Sequence, residues 1–149
     1  MIHTEVIVER LTSYSSQDAA GIGRLMPFLS ASKSGDPIPK ELLSEIIHSP
    51  YHEQLIARLG TKIVGTATLN MLMGPAVHKA GYLEDFVTDP GVREKGVGSK
   101  IWDEMLVWCK DNGVGLEFTS RSSREAAHRF YLAKGAEIRD TTVFHVDVQ

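Results

Sequence analysis

The chain of 149 residues contains one cysteine, Cys109, so no intrachain disulfide can form. That fits a reducing compartment. One thiol also cannot build a cysteine-rich zinc site, and His48, His52, His78, His128 and His145 show no metal-ligand spacing, so no metal is expected. Runs of Lys and Arg are missing and the formal net charge is −3, which argues against nucleic acid as a partner. No apolar run approaches the ~20 residues that span a bilayer, and no membrane role is expected. The first residues, Met1-Ile2-His3-Thr4-Glu5, lack a charged-then-apolar leader pattern, so the expected location is cytoplasmic. Repeats and low-complexity stretches are absent, and no linker separates composition regimes. The hydrophobic share of 42% and charged share of 23% are those of an ordinary globular protein. Residues 1–149 therefore read as a single domain, long enough to bury a core without staples.

What is present is a regular succession of strand and helix patterns. Glu5 to Leu11 alternates and predicts a strand; Gln17 to Ser30 carries Ala20, Ile22, Leu25, Met26 and Leu29 at helical spacing. Ser32 to Pro37 breaks that helix, Pro39 opens a second, and Pro50 ends it. Gln54–Leu59 and Lys62–Met71 predict strands joined by the short turn Gly60-Thr61. Met73 to Ala80 reads as a loop, Gly81 to Thr88 as a strand, and Val97 to Lys110 as an amphipathic helix closed by Asn112-Gly113. Val114 to Thr119 predicts a strand, Arg124 to Ala133 a short helix, and Ile138 to Val148 a last strand. A strand–helix–strand unit after a meander implies an α/β protein with a mixed sheet and helices on both faces.

One segment carries chemistry. Asp89-Pro90-Gly91-Val92-Arg93-Glu94-Lys95-Gly96-Val97-Gly98-Ser99-Lys100 lies between a strand and a long helix. Gly96 and Gly98 let the backbone approach a bulky anion. The N–H groups of the first helical turn point at that anion, aided by the helix dipole. Arg93 and Lys95 add charge in an otherwise acidic chain, and a pyrophosphate fits this design. A Walker A loop is excluded, because Val97 stands where its Lys belongs. A dinucleotide fingerprint is excluded as well, because position 101 is Ile rather than a third Gly. On the glycines alone, a tight turn at a helix start is an equal alternative.

The surroundings are more specific. Arg93-x-x-Gly96-x-Gly98, after a strand ending Val87-Thr88-Asp89-Pro90, resembles the acetyl-CoA motif of the GNAT N-acetyltransferase superfamily. About forty residues on, Arg124 to Ala136, with Ala127-x-x-Phe130-Tyr131, resembles that superfamily's second motif. Arg124 stands where the motif commonly has Asn, and Ala136 where it has Phe. The resemblance covers most of the chain and implies the GNAT fold: a central mixed, mostly antiparallel sheet of about six to seven strands with helices on both faces. It implies acetyl-CoA as co-substrate, bound by the backbone of Phe86, Val87 and Thr88, by Arg93, Glu94, Lys95, Gly96, Val97, Gly98 and Ser99, and by Arg124 and Tyr131.

It also implies a reaction. An alkylamine, with a pKa near ~10, must lose a proton before it attacks a thioester. Glu84, with Asp85 as second choice, is the expected base, and Tyr131 the acid that protonates the departing thiolate. Strand alternation sends Glu84 and Asp85 to opposite faces. The bland alternatives are a satisfied ion pair, a solvated rim and an aromatic packing against Phe130. The expected acceptor is a small-molecule amine. A peptide or protein amine is one rival, and a non-catalytic module that binds CoA as a signal is another. A homodimer is left open.

Overall fold

In the computed structural model, residues 5–149 are described, except for the side chain of Glu94. The chain forms two compact units, residues 1–118 and 119–149. Strand β1 (Val6–Arg10) leads to α1 (Ser16–Leu29), whose start is fixed by Ser15: its side chain accepts the Asp18 N–H at 3.0 Å. Pro39 holds the position before α2 (Lys40–His48) rather than lying inside it. Strands β2 (His52–Leu59), β3 (Lys62–Gly74) and β4 (His78–Thr88) follow. A 3₁₀ helix, Pro90–Lys95, joins β4 to α3 (Val97–Asn112), and β5 (Leu116–Glu117) completes the sheet.

The sheet order is β1-β2-β3-β4-β5, antiparallel except for the parallel β4–β5 pair. The mixed, mostly antiparallel sheet expected from the sequence is therefore present, with five strands described rather than six or seven. The predicted loop at 73–80 is instead a hairpin tip: β3 and β4 remain paired out to Gly74↔His78. The apolar Leu72 and Met73 suit a strand as well as a loop, and the sequence pattern could not separate the two. The predicted strand at 114–119 is confined to Leu116–Glu117. In the second unit, α4 (Glu125–Ala133) forms as expected. The predicted strand at 138–148 is not found there, because a strand is defined by its pairing and residues 119–149 taken alone offer it no partner.

Both faces of the sheet are covered. On one, Ile56, Ile63 and Val87 pack with Leu11, with Ala19, Ile22 and Leu25 of α1 and with Leu43 of α2. On the other lies α3, with Val97, Ile101, Trp102, Met105, Trp108 and Cys109 buried. Gly65 of β3 makes that approach close: a β-carbon there would stand 2.7 Å from Ile101 Cδ1 and 2.8 Å from Val97 Cγ1. The start of α3 is thereby pressed against the middle of the sheet, directly after the loop that carries the anion motif. No helix among the described residues is long and apolar enough to cross a membrane.

Candidate functional site

The site is built on an irregularity in β4. Thr68 pairs with Glu84 and Thr66 with Val87, so two residues of β4, Asp85 and Phe86, stand opposite Ala67 where a regular ladder puts one. Asp85 accommodates the extra residue with a left-handed backbone, φ 50°. That conformation costs a non-glycine residue of the order of 1 kcal/mol, and Asp is among the side chains that tolerate it best. The bulge has a second consequence. Paired residues share a face, so Glu84 lies on the same face as Thr68 and, across β2, Gln54. This is also the face of Ile56 and Val87, which α1 and α2 cover.

Beneath Glu84 that face is polar and fully satisfied. The Gln54 amide donates to Thr66 Oγ1 at 2.7 Å and to the Ala67 carbonyl at 3.3 Å, and it accepts from Thr68 Oγ1 at 2.7 Å; Thr66 donates to the Leu55 carbonyl at 2.7 Å. All three side chains are buried. The Glu84 carboxyl is held above the usual carboxylate range, first by partial burial and then by the neighbouring negative charge of Asp85.

Val87 and Thr88 run from the bulge into the loop, and the Val87 side chain belongs to the core, which leaves only its backbone for a ligand. Asp89 turns the chain: its carboxylate accepts the Gly91 N–H at 2.9 Å. Pro90–Lys95 then makes a 3₁₀ helix with an irregular Val92 (φ −126°, ψ 27°). Gly96, at φ 71°, reverses the chain into α3, whose first N–H groups belong to Val97, Gly98 and Ser99. Val97 is buried by its side chain, while Arg93, Lys95 and Gly96 are exposed. The Glu94 side chain lies outside the described residues. Lys100, the last residue of the same segment, donates to the Val6 carbonyl at 3.0 Å and so ties α3 to β1.

The structure thus places Glu84 to Thr88 and Arg93 to Ser99 on one continuous strand–loop–helix path. Arg124 and Tyr131 belong to the second unit. There Arg124 immediately precedes α4, and Tyr131 stacks edge-on against Phe130 with ring centroids 5.8 Å apart. Burial raises the Tyr131 phenol above its ordinary value, and the Arg124 charge pulls the other way. No group of three or more metal-ligating side chains occurs among the described residues.

Two features escaped the sequence reading. Asp89 before Pro-Gly carries the local signature of a capping side chain and was legible in principle. Arg24, which reaches Asp89 at 3.0 Å, is 65 positions away and leaves no local signal.

The model of the acetyltransferase (GNAT) family matches residues 24–136. No curated protein matches the chain. Among solved structures, an aminoglycoside acetyltransferase, meta-AAC0020, from an uncultured soil metagenomic sample is similar. In complex with trehalose it superposes with a TM-score of 0.84 at 20% identity, covering 97% of each chain. In complex with sisomicin the TM-score is 0.83 at 19% identity, with the same coverage. A ribosomal-protein-alanine N-acetyltransferase from Brucella melitensis biovar Abortus 2308 superposes at 0.74 with 18% identity, covering 97% of this chain and 99% of that one. At such identities the likeness is one of fold.

Proposed function

This chain belongs to the acetyltransferase (GNAT) family, and we propose that it moves an acetyl group from acetyl-CoA to the primary amine of a small molecule by direct attack in a ternary complex. The observation that carries the reading is the bulged strand running straight into a glycine-opened helix start flanked by Arg93 and Lys95. A pyrophosphate needs backbone N–H donors, a dipole of the right sign and nearby cations, and this segment supplies all three. The residues proposed to hold acetyl-CoA are Phe86, Val87 and Thr88 through their backbone, Arg93 to Ser99 around the pyrophosphate, and Arg124 and Tyr131 from the second unit. The reading takes residues 1–149 as one working domain.

The chemistry follows from those roles. The Glu84 carboxylate takes the proton of the amine, whose nitrogen attacks the thioester carbonyl. Backbone N–H groups at the bulge receive the oxyanion, a contribution of ~3 kcal/mol per donor in comparable acyl transfers. The C–S bond breaks and the thiolate takes a proton from Tyr131. The carboxylates of Glu84 and Asp85 suit an acceptor that arrives as a cation. A screen of acetyl-CoA consumption across polyamines, aminoglycosides, amino sugars and peptides tests this reading. Turnover is expected with a small cationic amine. Turnover with peptides alone, or with no amine while CoA still binds, would overturn the acceptor assignment.

A further inference from the structure

Asp89 is 6% exposed, a buried carboxylate at the point where β4 becomes the loop. Its two oxygens are used differently. Oδ1 accepts the Gly91 N–H at 2.9 Å and so sets the direction of the first turn. Oδ2 faces Nη1 of Arg24 at 3.0 Å, with Nζ of Lys62 at 3.5 Å. Arg24, on α1, also donates through Nη2 to the Ile63 carbonyl at 2.8 Å. The Asp89 N–H in turn donates to the Val64 carbonyl at 2.8 Å. The guanidinium fork therefore spans the start of β3 and the end of β4, and it leaves the Asp89 carboxylate one orientation.

We infer that Arg24 and Asp89 are a positioning pair: a residue on α1, outside the cofactor loop, determines how tightly that loop grips its anion. The inference rests on the proposed acetyl-CoA reading. Stability alone does not account for the pair, because the Arg24 side chain is 39% exposed and ion pairs open to solvent on one side add little net stability. What the pair adds is geometry. Gly91 is fixed through Asp89, and Arg93, Lys95 and the N–H groups of Val97 to Ser99 follow within eight residues. Backbone donors bind an anion only when they converge on it, and misplacements of the order of 1 Å are costly. The Gly91 N–H above all, against the opposing cost of burial, and then Arg24 and Lys62 hold the Asp89 carboxyl below its ordinary value.

Calorimetric titration of CoA into the full-length protein tests this, alongside melting of the unliganded variants. Arg24→Met is expected to raise the Kd for CoA about tenfold or more. The rate at saturating acetyl-CoA should stay within about twofold, because the pair grips a part of the cofactor that does not react. Arg24→Lys keeps the charge but loses the fork and should fall between. Lys62→Met, at an exposed partner, should bind as wild type. Asp89→Asn can keep Oδ1 as the acceptor for Gly91 while it replaces the charged acceptor facing Arg24 with an amide N–H, so it breaks the pair from the other side and carries the test if Arg24→Met folds poorly. The double variant should be no weaker than the worse single one. Variants that melt lower but bind CoA with the wild-type Kd would overturn the inference and leave only a structural tie, and so would additive losses. A wild-type protein that fails to bind CoA would overturn the acetyl-CoA reading itself, an outcome distinct from any difference between variants.

Discussion

Glu84 and Asp85 are neighbours in sequence but not equivalents. Glu84 lies in the regular ladder beside the satisfied Gln54–Thr68 row, whereas Asp85 occupies the strained bulge position. Partial burial and the Asp85 charge both raise the Glu84 pKa. A base must be ionised, so activity should rise with pH through a limb placed above the ordinary carboxylate value of ~4.3. Asp85→Asn removes the like charge while keeping a side chain at ease with positive φ. It should move that limb to lower pH, as read from the profile of kcat/KM. Glu84→Gln should lose the limb and most activity at neutral pH, recovering in part as pH rises toward the amine's own pKa of ~10. Full activity of Glu84→Gln at neutral pH would remove Glu84 from the mechanism. Tyr131 offers the complementary test. Its phenol titrates above the usual value and so remains protonated, ready to donate, throughout the working range. Tyr131→Phe should slow turnover by roughly 10²–10⁴ at unchanged Tm; a fall in Tm that matches the loss in rate would instead assign Tyr131 to packing with Phe130.

At the scale of elements, α3 provides its own control. It is flanked by Gly96 (φ 71°) before its start and Gly113 (φ 66°) after its end, and a β-carbon at either would meet nothing within 4 Å. Alanine at each position therefore suffers the same left-handed backbone penalty, about 1–2 kcal/mol, and no clash. Gly96→Ala and Gly113→Ala should lower stability alike in denaturant melts. Only Gly96→Ala places its methyl at the positive end of the helix, beside the proposed anion site, and only it should weaken acetyl-CoA binding. Equal binding by the two variants would show that the anion sits elsewhere. These elements were also the legible ones. The Gly96 and Gly98 spacing, the long apolar stripe of α3 and the paired motifs at 93–98 and 124–136 announced loop, helix and family because each is a local pattern. The extent of the 62–88 hairpin was hidden, since the apolar residues of its tip do not separate strand from loop. The bulge was hidden too, because it exists only in the offset between two strands. Arg24's reach to Asp89 depends on how α1 packs against the sheet, which no window of sequence contains.

On the scale of the whole molecule, the proposed function asks an acidic chain with net charge −3 to hold a cofactor that carries several negative charges. Long-range attraction cannot do this, because exposed charges are screened beyond a Debye length of ~8 Å at physiological salt. On the proposed reading the anion is held by contacts at short range, namely backbone N–H groups at the start of α3 together with Arg93 and Lys95. Binding of that kind stabilises the folded state only. At ~100 times its dissociation constant the ligand should add about 2.7 kcal/mol, which for a domain of this size raises Tm by several degrees. Both acetyl-CoA and CoA should produce the shift, since they share the pyrophosphate. Gly98→Glu should abolish it, because the new side chain fills the approach to the helix start and its carboxylate repels the anion. The same variant should melt near the wild-type temperature without ligand, because Gly98 lies in the first turn of α3 and Glu is favoured there by the helix dipole. A wild-type protein whose Tm ignores saturating acetyl-CoA would remove the basis for the proposed reaction. A Gly98→Glu variant that keeps the full shift would move the anion away from this loop while leaving acetyl-CoA binding intact.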